Sequence, residues 1–445
     1  MKRLVTLGLL VTLLATLVPA CAPKATPTPT SAPTAAPAAT PTPAKEAMKA
    51  ELTVIHWGSS GEKDLYADWI AQFMKEHPNI KVTQLHVPKG YWDKVAAMFA
   101  AGTPPDLMFM GYPEMVRYAS EGTLLPLDDY LSKDPEVNKD MFFPALIRAF
   151  TYEGKIYGVP KDWNTQVLYY NKTLFDKAGL SYPDETWTWD DVVEAAKKLT
   201  ADTDGDGVTD QWGFVTDVGM NRIGAWIYGN GGSILSEDKT RCTLTDPASV
   251  GALKFLTGLM FEHKVAPSKK ELGELSAKEM FSSGKAGMYV CGGWRILGFR
   301  DIKDFEWDIA PIPISPTSGK RGTVVDTVSW SIAKATKYPD AAWELVKFFV
   351  GEKGQVRTAE SGMATPSMIK YARSEAFLDP TKPPAHREVL ISYTDDEIHY
   401  YPVIPKMGEL WDAWGQELSE MWLGQKSVED SVKAFCERIE PALPK

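Results

Sequence analysis

Residues 154–200 read GKIYGVPKDWNTQVLYYNKTLFDKAGLSYPDETWTWDDVVEAAKKLT, and this stretch decides the fold. It predicts a short strand edge, an aromatic turn, a second apolar strand and then an amphipathic helix. Thr188 can cap that helix, and Asp191 three residues later completes a capping-box arrangement. The apolar spacing of the helix predicts a buried stripe of Trp189, Val192, Val193, Ala196 and Leu199. The stretch holds no catalytic triad and no complete metal-site motif.

The chain before this stretch alternates strands with helices. Strands are predicted at residues 52–57, 80–82 and 105–110, and helices lie between them, one with its apolar positions from Tyr66 to Met74 and one at 92–101. This order is typical of an α/β lobe with a mostly parallel sheet. Because ligands bind beyond the carboxyl ends of such strands, the residues there are of interest. They are Trp57, Ser59, Ser60, Met110, Gly111 and Tyr112.

Length and charge narrow the class of protein. A chain of 445 residues is too long for one core, so two domains or lobes are expected. The 58 acidic and 48 basic residues give a formal charge of -10, which argues against a nucleic-acid partner. The composition, 44% hydrophobic and 24% charged, is ordinary for a globular protein.

The N-terminus reads as a sorting signal rather than as structure. Lys2 and Arg3 precede an apolar run over residues 4–18, which predicts a signal peptide at 1–20. Ala20 before Cys21 resembles a bacterial lipobox, in which Cys21 is lipidated and becomes the mature N-terminus. The alternative is an ordinary cleaved signal with Cys21 incidental. Residues 22–44 are almost all Pro, Ala, Thr or Ser, so residues 21–50 are predicted to form a tether that buries no core.

An acidic, glycine-containing loop follows the helix predicted at the end of residues 154–200. Alternating carboxylates with glycine at the bend are typical of a calcium loop. The candidate ligands are Asp202, Asp204, Asp206, Val208 and Asp210. The twelfth position of an EF-hand would fall on Gly213 instead of Glu, which excludes an EF-hand. A simpler calcium-stapled turn and a plain acidic surface turn both stay open.

Known enzyme motifs are missing from the sequence. The six histidines form no H-E-x-x-H pair, and no G-x-S-x-G elbow occurs. Two carboxylates could still meet in space, so a carbohydrate-degrading enzyme stays open. The 15 Trp and 17 Tyr favour a site that stacks on sugar rings. The three cysteines after Cys21 allow at most one internal disulfide, and no pairing among Cys242, Cys291 and Cys436 follows from the sequence.

The motifs GKIYGVP, LYYNKTLFDKAGL and TWTWDDVVEAAKKLT resemble the signature region of the extracellular solute-binding proteins of family 1, the sugar-binding lipoproteins of ABC importers. The resemblance extends to TPPDLMFM, FSSGKAGMYVCGGW, DAAWELVKFF and the GMATP turn. Maltose-binding protein is a distant relative within this group.

The resemblance implies a fold and a function. The fold would be the α/β, two-lobe periplasmic-binding-protein fold of type II, each lobe a mixed, mostly parallel sheet flanked by helices. Lobe 1 would comprise 51–162 plus about 323–370, and lobe 2 would comprise 163–322 plus about 371–445. The protein would be a non-enzymatic, monomeric receptor that binds a mono- or oligosaccharide between the lobes and delivers it to a membrane permease. Its expected location is the outer face of the cytoplasmic membrane, within the periplasm if an outer membrane is present.

The resemblance also places candidate ligand-binding residues in the cleft. They are Trp57, Ser59, Ser60, Tyr91, Tyr112, Asp162, Trp163, Asn164, Trp226, Asn230, Gly293, Trp294 and Arg295, with Asp326 and Trp330 as weaker candidates. Trp294 is the foremost of them, and a packed core tryptophan is its alternative. Met110 and Pro113 depart from the pattern of the maltodextrin binders, so a maltose preference is not implied. Glycerol phosphate or another polyol phosphate is a second ligand class, for which Arg295 and Arg357 could serve the anion.

Overall fold

The computed structural model describes residues 48–445. The predicted signal peptide at 1–20, lipidation of Cys21 and nearly all of the predicted tether at 21–50 lie outside the described residues. The first strand begins at Ala50, one residue before the expected start of the folded body. Within residues 48–445, no helix is both long enough and apolar enough to span a bilayer.

Strands and helices alternate through the described chain. The strands β1 to β14 are Ala50–His56, Ile80–His86, Leu107–Gly111, Thr151–Tyr152, Lys155–Ile156, Val159–Asn164, Gln166–Asn171, Trp212–Thr216, Ala286–Gly292, Trp307–Ala310, Thr323–Val324, Asp326–Ile332, Thr365–Pro366 and Ile398–His399. The helices α1 to α9 are Ser60–Glu76, Tyr91–Ala100, Tyr112–Ser120, Asp128–Lys133, Pro144–Ala149, Lys172–Ala178, Trp189–Leu199, Met220–Gly229 and Pro247–Phe261. The helices α10 to α18 are Lys269–Leu272, Ala277–Ser282, Ile296–Phe299, Pro339–Val350, Glu352–Ser361, Ile369–Ala372, Met407–Glu417, Ser419–Trp422 and Val428–Ile439. Short 3-10 helices lie at Lys139–Met141, Gly293–Arg295, Arg387–Ile391 and Glu440–Ala442.

The larger sheet has six strands in the order β13-β6-β12-β3-β1-β2. β1 pairs in parallel with β2 and β3, whereas β12 is antiparallel to β3 and β6, and β13 is antiparallel to β6. The predicted mixed sheet is confirmed, and β1, β2 and β3 are parallel as expected, but the antiparallel pairings of β12 and β13 mean that the sheet is not mostly parallel. The chain leaves this sheet along β6 and returns along β12, and two strands that run in opposite directions side by side must pair as antiparallel strands.

The second sheet has four strands in the order β10-β7-β9-β8, of which only β8 and β9 pair in parallel. A single residue, Thr165, separates β6 of the first sheet from β7 of the second. The predicted aromatic turn at Asp162, Trp163 and Asn164 is wrong, because these residues are strand. They pair with β12 on one side and, at Asp162 and Trp163, with β13 on the other. The lobe boundaries stay a prediction.

Residues 154–200 include the amphipathic helix that their sequence predicts, α7. Thr188 and Asp191 make the capping box of α7, each side chain accepting from the backbone N–H of the other. The predicted stripe is buried, and Trp189 stacks on Phe255 of α9 at 4.4 Å between ring centroids. Burial of such a large side chain contributes about 1.5–3 kcal/mol. The stripe therefore joins α7 to the core of the second sheet.

Aromatic side chains fill the core of the first sheet. Tyr66 of α1, Phe109 of β3 and Trp330 of β12 pack together, with Phe349 of α13 stacked on Trp330 at 4.8 Å. All four side chains are buried. These contacts fix the strand ends that carry the site described below.

A disulfide joins Cys242 to Cys436, with their Cα atoms 5.4 Å apart. It ties α18 to the loop before α9, two segments 194 residues apart in the chain. Cys291 is a free, buried thiol. The sequence had left this pairing open, because spacing alone does not show which cysteines meet.

Candidate ligand-binding cleft

A cavity of about 430 Å³ opens at the strand ends of the first sheet. Helix α8 and the Gly293–Arg295 turn border it from the side of the second sheet. Five of the predicted residues line it together. They are Trp57, Asp162, Asn164, Trp294 and Asp326. A larger cavity of about 830 Å³ lies elsewhere, near Glu76 and Tyr371, and none of the predicted site residues lines it. We therefore place the functional site at the smaller cavity.

One wall of the cavity is aromatic. Trp57, at the end of β1, meets Tyr91 edge-to-face at 4.8 Å and Phe109 at 5.1 Å, and Trp92 packs 5.5 Å away. Tyr91 does not line the cavity but is buried, and its hydroxyl donates to the Phe109 carbonyl at 2.8 Å. Tyr91 thus supports the Trp57 ring, and Trp92 joins Trp57 in the lining.

Trp294 lies on the opposite side, in the 3-10 turn that follows β9. The Arg222 guanidinium of α8 lies 5.0 Å from the centroid of its ring. Trp294 is partly exposed, unlike the packed core tryptophan that was its alternative. Aromatic rings therefore face the cavity from the sides of both sheets.

An ion cluster of Glu62, Lys161 and Asp162 lies beneath the first wall. The Lys161 ammonium contacts the Asp162 carboxylate and lies 3.3 Å from Glu62 Oε1. It also lies 4.7 Å from the centroid of the Phe109 ring. Burial lowers the pKa of Lys161, but the charges of Asp162, Tyr66 and Glu62 outweigh it and leave that pKa raised. The cluster therefore carries two carboxylates and one ammonium.

Two further carboxylates line the cavity. Asp326 Oδ2 accepts from Gln166 Nε2 and from Asn221 Nδ2, each at 2.9 Å. Burial raises the pKa of Asp326 to about 6. Burial likewise raises the pKa of Glu114, in the first turn of α3, to about 7. Both groups change charge near neutral pH.

Asn164 presents an enclosed acceptor. Its Oδ1 atom has no donor within the described part of the chain, although the residue is only 7% exposed and lines the cavity. Gly293 lies against it, since a Cβ at 293 would be 2.8 Å from Asn164 Oδ1. An enclosed polar atom without a partner is costly, so a ligand hydroxyl at this position would be favourable.

Several predicted residues do not reach the cavity because their polar groups are used by the fold. Ser59 caps α1 by accepting from the Glu62 N–H at 3.2 Å, and Ser60 is exposed at the start of that helix. The Tyr112 hydroxyl donates to the Tyr401 carbonyl at 3.0 Å. The Trp163 indole donates to the Pro366 carbonyl at 3.0 Å and is buried.

The remaining predicted residues lie in or behind the cores. Trp226 and Trp330 are fully buried, the first against Trp189 and the second against Phe349. Asn230 is buried, and its amide donates to the Ala248 carbonyl at 2.7 Å. Gly293 is buried beside Asn164, and Arg295 is partly exposed but does not line the cavity. Residue type alone did not show which face of the fold these side chains occupy.

Sequence reasoning missed several residues of the lining. They are Glu62, Trp92, Glu114, Asn221, Lys161 and Tyr401. Two of them had a usable signal, because Glu62 and Glu114 lie in the first turns of helices that follow predicted strand ends. Lys161 directly precedes the predicted Asp162. Nothing in the sequence connects Tyr401 to the strand ends, some 290 residues earlier at Tyr112.

The acidic loop has geometry that resembles part of a metal site. Carboxylate oxygens of Asp202, Asp204 and Asp210 lie within 4.8 Å of one another. The loop also satisfies these groups itself, for Asp202 accepts from the Gly205 and Gly207 N–H groups at 2.7 and 2.8 Å. Asp206 accepts from the N–H of Val208, whose side chain is exposed. Calcium binding here stays a prediction.

Comparison with known proteins identifies the class. The family model described as bacterial extracellular solute-binding protein matches residues 58–356. The chain belongs to this family, whose members bind solutes and are not enzymes. The alternative of a carbohydrate-degrading enzyme is thereby set aside.

Two curated relatives match over most of the chain. A galactooligosaccharide-binding protein of Bacillus subtilis is 25% identical over 407 residues, which cover 88% of this chain and 90% of the relative. A maltodextrin-binding protein of the same organism is 25% identical over 414 residues, covering 89% and 92% of the two chains.

Solved structures match the fold over the same extent. An ABC substrate-binding protein from Listeria monocytogenes in complex with cycloalternan is 27% identical with a TM-score of 0.79, covering 88% of this chain and 99% of that one. The maltose/maltodextrin-binding domain from Bdellovibrio bacteriovorus bound to maltotriose has a TM-score of 0.72 at 22% identity and covers 88% and 99%. These likenesses confirm the predicted two-lobe fold of type II.

Proposed function

We propose that this protein is the extracytoplasmic receptor of an ABC importer, and that it binds an oligosaccharide in the cleft and delivers it to a membrane permease. One observation carries the proposal: Trp57 and Trp92 face Trp294 across a cavity that is also rich in hydrogen-bond acceptors. Aromatic faces suit the apolar faces of sugar rings, and carboxylates accept strongly from hydroxyl groups.

The charge of the lining favours a neutral ligand over a phosphate ester. The lining residues include the carboxylates Glu62, Glu114, Asp162 and Asp326, and Lys161 is the one cation among them. Two of these carboxylates already neutralise that lysine. Arg295 does not line the cavity, and Arg357 lies outside it, 5.7 Å from the Trp69 ring centroid and beside Asp68. Among residues 48–445, no cation lines the cavity that is not already paired with carboxylates, which disfavours the polyol phosphate alternative.

The relatives supply the size class of the ligand. The names of the matching proteins mention galactooligosaccharide, maltodextrin and cycloalternan, and all three are carbohydrates of several rings. The cavity of about 430 Å³ falls within the usual range of about 300–1,000 Å³ for small-molecule sites. We extend this ligand class to the present chain.

Closure of the cleft is the step that a permease would sense. We expect lobe 1, predicted at 51–162 plus about 323–370, and lobe 2, predicted at 163–322 plus about 371–445, to rotate about the crossovers between them. Near the first of these crossovers, Thr165 alone separates β6 from β7. Contacts to both lobes at once would favour the closed form. Lipidation of Cys21 would hold the monomeric receptor on the outer face of the cytoplasmic membrane.

The experiment is a titration calorimetry panel with maltotriose, mannotriose, a galactooligosaccharide and glycerol 3-phosphate. We expect at least one oligosaccharide to bind and glycerol 3-phosphate not to bind. Trp294→Ala should abolish or greatly weaken that binding, while Tyr182→Ala, which removes an exposed aromatic outside the cleft, should leave it unchanged. Binding of glycerol 3-phosphate alone would reject the carbohydrate proposal.

A further inference from the structure

Lys161 holds together two carboxylates that come from different elements. Its ammonium contacts Asp162, its neighbour on β6, and Glu62 of α1. Lys161 is 6% exposed, and the Glu62 and Asp162 side chains are 17% and 8% exposed. The cluster is therefore shielded from bulk water but lies at the cavity wall.

Each carboxylate uses one oxygen for the ammonium. The other two oxygens, Glu62 Oε2 and Asp162 Oδ1, receive no hydrogen bond from residues 48–445. Neither is among the enclosed polar atoms that lack a partner. Each therefore keeps some exposure, on a side chain that lines the cavity.

The local backbone is shaped to admit the Glu62 carboxylate. Gly58 has φ +122°, a conformation that favours glycine, and a Cβ there would lie 2.2 Å from Glu62 Oε2. Any larger residue at 58 would push the carboxylate away from Lys161. The sequence Trp57-Gly58 thus supplies an aromatic face and room for a carboxylate at neighbouring positions.

The close placement of the Glu62 and Asp162 carboxylates depends on the positive charge of Lys161 between them. Without the positive charge, two partly buried carboxylates repel each other, and one of them takes up a proton or turns away. The Phe109 ring, 4.7 Å from the ammonium, attracts that cation through its quadrupole but carries no net charge that could replace it. The other titratable groups facing Lys161 are Tyr66 of α1 and His56 of β1, and burial lowers the pKa of His56 to about 4, which leaves it uncharged at neutral pH.

We propose that Lys161 is a positioning residue whose charge holds the Glu62 and Asp162 carboxylates side by side, so that their free oxygens accept from two hydroxyl groups of one sugar ring. This proposal rests on the proposed function of the cleft. Lys161 also lines the cavity, but its ammonium is already bonded to the two carboxylates, so the proposal assigns it no direct contact with the ligand. It also makes the site selective for rings with two neighbouring hydroxyl groups beside the Trp57 face.

The test compares the wild type with Lys161→Met, Lys161→Arg and Lys353→Met. We expect Lys161→Met to weaken binding of the tightest oligosaccharide of the panel about tenfold or more, the scale of a lost charge-assisted hydrogen bond. Lys161→Arg keeps the charge and should restore most of the affinity. Lys353→Met removes an exposed lysine that pairs with Glu76 outside the cleft and is the matched control, with unchanged affinity expected.

A pH series separates positioning from a merely structural role. In Lys161→Met the Asp162 carboxylate, whose pKa burial raises, should gain a proton more readily as pH falls from 8 to 6. The affinity of this variant should therefore fall more steeply than that of the wild type, whose own profile reflects Glu114 and Asp326. Parallel profiles, or unchanged affinity in folded Lys161→Met, would overturn the proposal. Should that variant not fold, Glu62→Gln keeps the Lys161 and Asp162 contact, and unchanged affinity in Glu62→Gln would equally overturn it.

The proposal can fail separately from the sugar-binding function. Carbon-13 NMR of the side-chain carboxyl groups reports the ionisation of Asp162 without any ligand. Burial raises the pKa of Asp162 and the Lys161 charge opposes that rise, so Lys161→Met or, if needed, Lys161→Gln should raise this pKa further. An Asp162 pKa unchanged by loss of the lysine would overturn the positioning role, whether or not any sugar binds.

Discussion

The indole ring of Trp294 lies against the backbone of Gly292, so closely that a Cβ at 292 would be 1.8 Å from ring atom Cζ3. Gly292 is the last residue of β9, and Trp294 is in the turn that follows it. The end of a strand in the second sheet therefore sets the direction in which the ring faces the cavity. This contact explains why the sequence places glycine two residues before the aromatic.

Gly292→Ala tests this contact. The added methyl group must displace the Trp294 ring, so we expect sugar affinity to fall about fivefold or more, and overpacking to cost about 1–3 kcal/mol of the free energy of unfolding. Calorimetry and urea unfolding measure the two effects. Gly298→Ala is the control, because no atom of residues 48–445 outside its chain neighbours and its own helix backbone lies within 4 Å of a Cβ at 298. Equal affinity of Gly292→Ala and wild type would show that the ring does not contact the ligand.

The raised pKa of Glu114 predicts how the free energy of unfolding changes with pH. Burial raises its pKa from an ordinary 4.5 to about 7, so between these values the folded protein binds more protons at Glu114 than the unfolded chain does. This contribution to stability is therefore present at pH 4.5 and is lost as the pH rises to 7. Glu114→Gln removes this pH-dependent contribution to stability.

Urea unfolding at pH 4.5, 5.5, 6.5 and 7.5 measures this effect. The free energy of unfolding of Glu114→Gln, relative to the wild type, should rise across the series. Asp326 has a pKa raised in the same direction but is present in both proteins, so it cancels in the difference. Glu121→Gln, which removes a half-exposed carboxylate just after the same helix, is the control. A constant difference between Glu114→Gln and wild type would contradict the assignment.

The Cys242–Cys436 disulfide should stabilise the second lobe. It closes a segment of 194 residues, and removing such a link typically costs about 2–4 kcal/mol. The double variant Cys242→Ser with Cys436→Ser should lose stability by that amount in urea unfolding. Reduced wild type should match it. A double variant as stable as the oxidised wild type would mean that the two cysteines are not bonded.

Calcium binding by the acidic loop is a separate prediction. If the carboxylates of Asp202, Asp204 and Asp210 hold an ion, calcium should raise the melting temperature by about 2 °C or more and chelation should reverse the rise. Asp204→Asn keeps the turn but removes one charge and should abolish the shift. Asp238→Asn, in another exposed turn, should keep it. A melting temperature unaffected by chelation would favour the plain acidic turn.

The positions of the strands and helices could be predicted from the sequence more successfully than the side of each element on which a given side chain lies. The strands and helices from residue 50 to 110 and the capping box of α7 follow from apolar periodicity and local hydrogen bonds. The antiparallel pairing of β12 with β3 and β6 does not, because it joins segments that are more than 160 residues apart in the chain. Local patterns contain no information about such contacts.

The same limit applies to the site. Strand ends and family motifs led to Trp57, Asp162, Asn164, Trp294 and Asp326, which the structure brings to one cavity. Trp163 and Trp226 were also expected there, but each has its indole in a core. A tryptophan pattern does not separate a ring that faces a cavity from one that packs, since burial depends on neighbours distant in sequence. For the same reason Lys161 and Glu62 were missed, although each lies one to five residues from a predicted position.

The most direct measurement is a crystal structure of the protein with the tightest oligosaccharide of the panel. We predict one sugar ring against the indole of Trp294, and neighbouring hydroxyl groups within about 2.5–3.0 Å of Glu62 and Asp162 oxygens. Sugar density in the larger cavity near Tyr371, with the Trp294 cleft empty, would contradict the account.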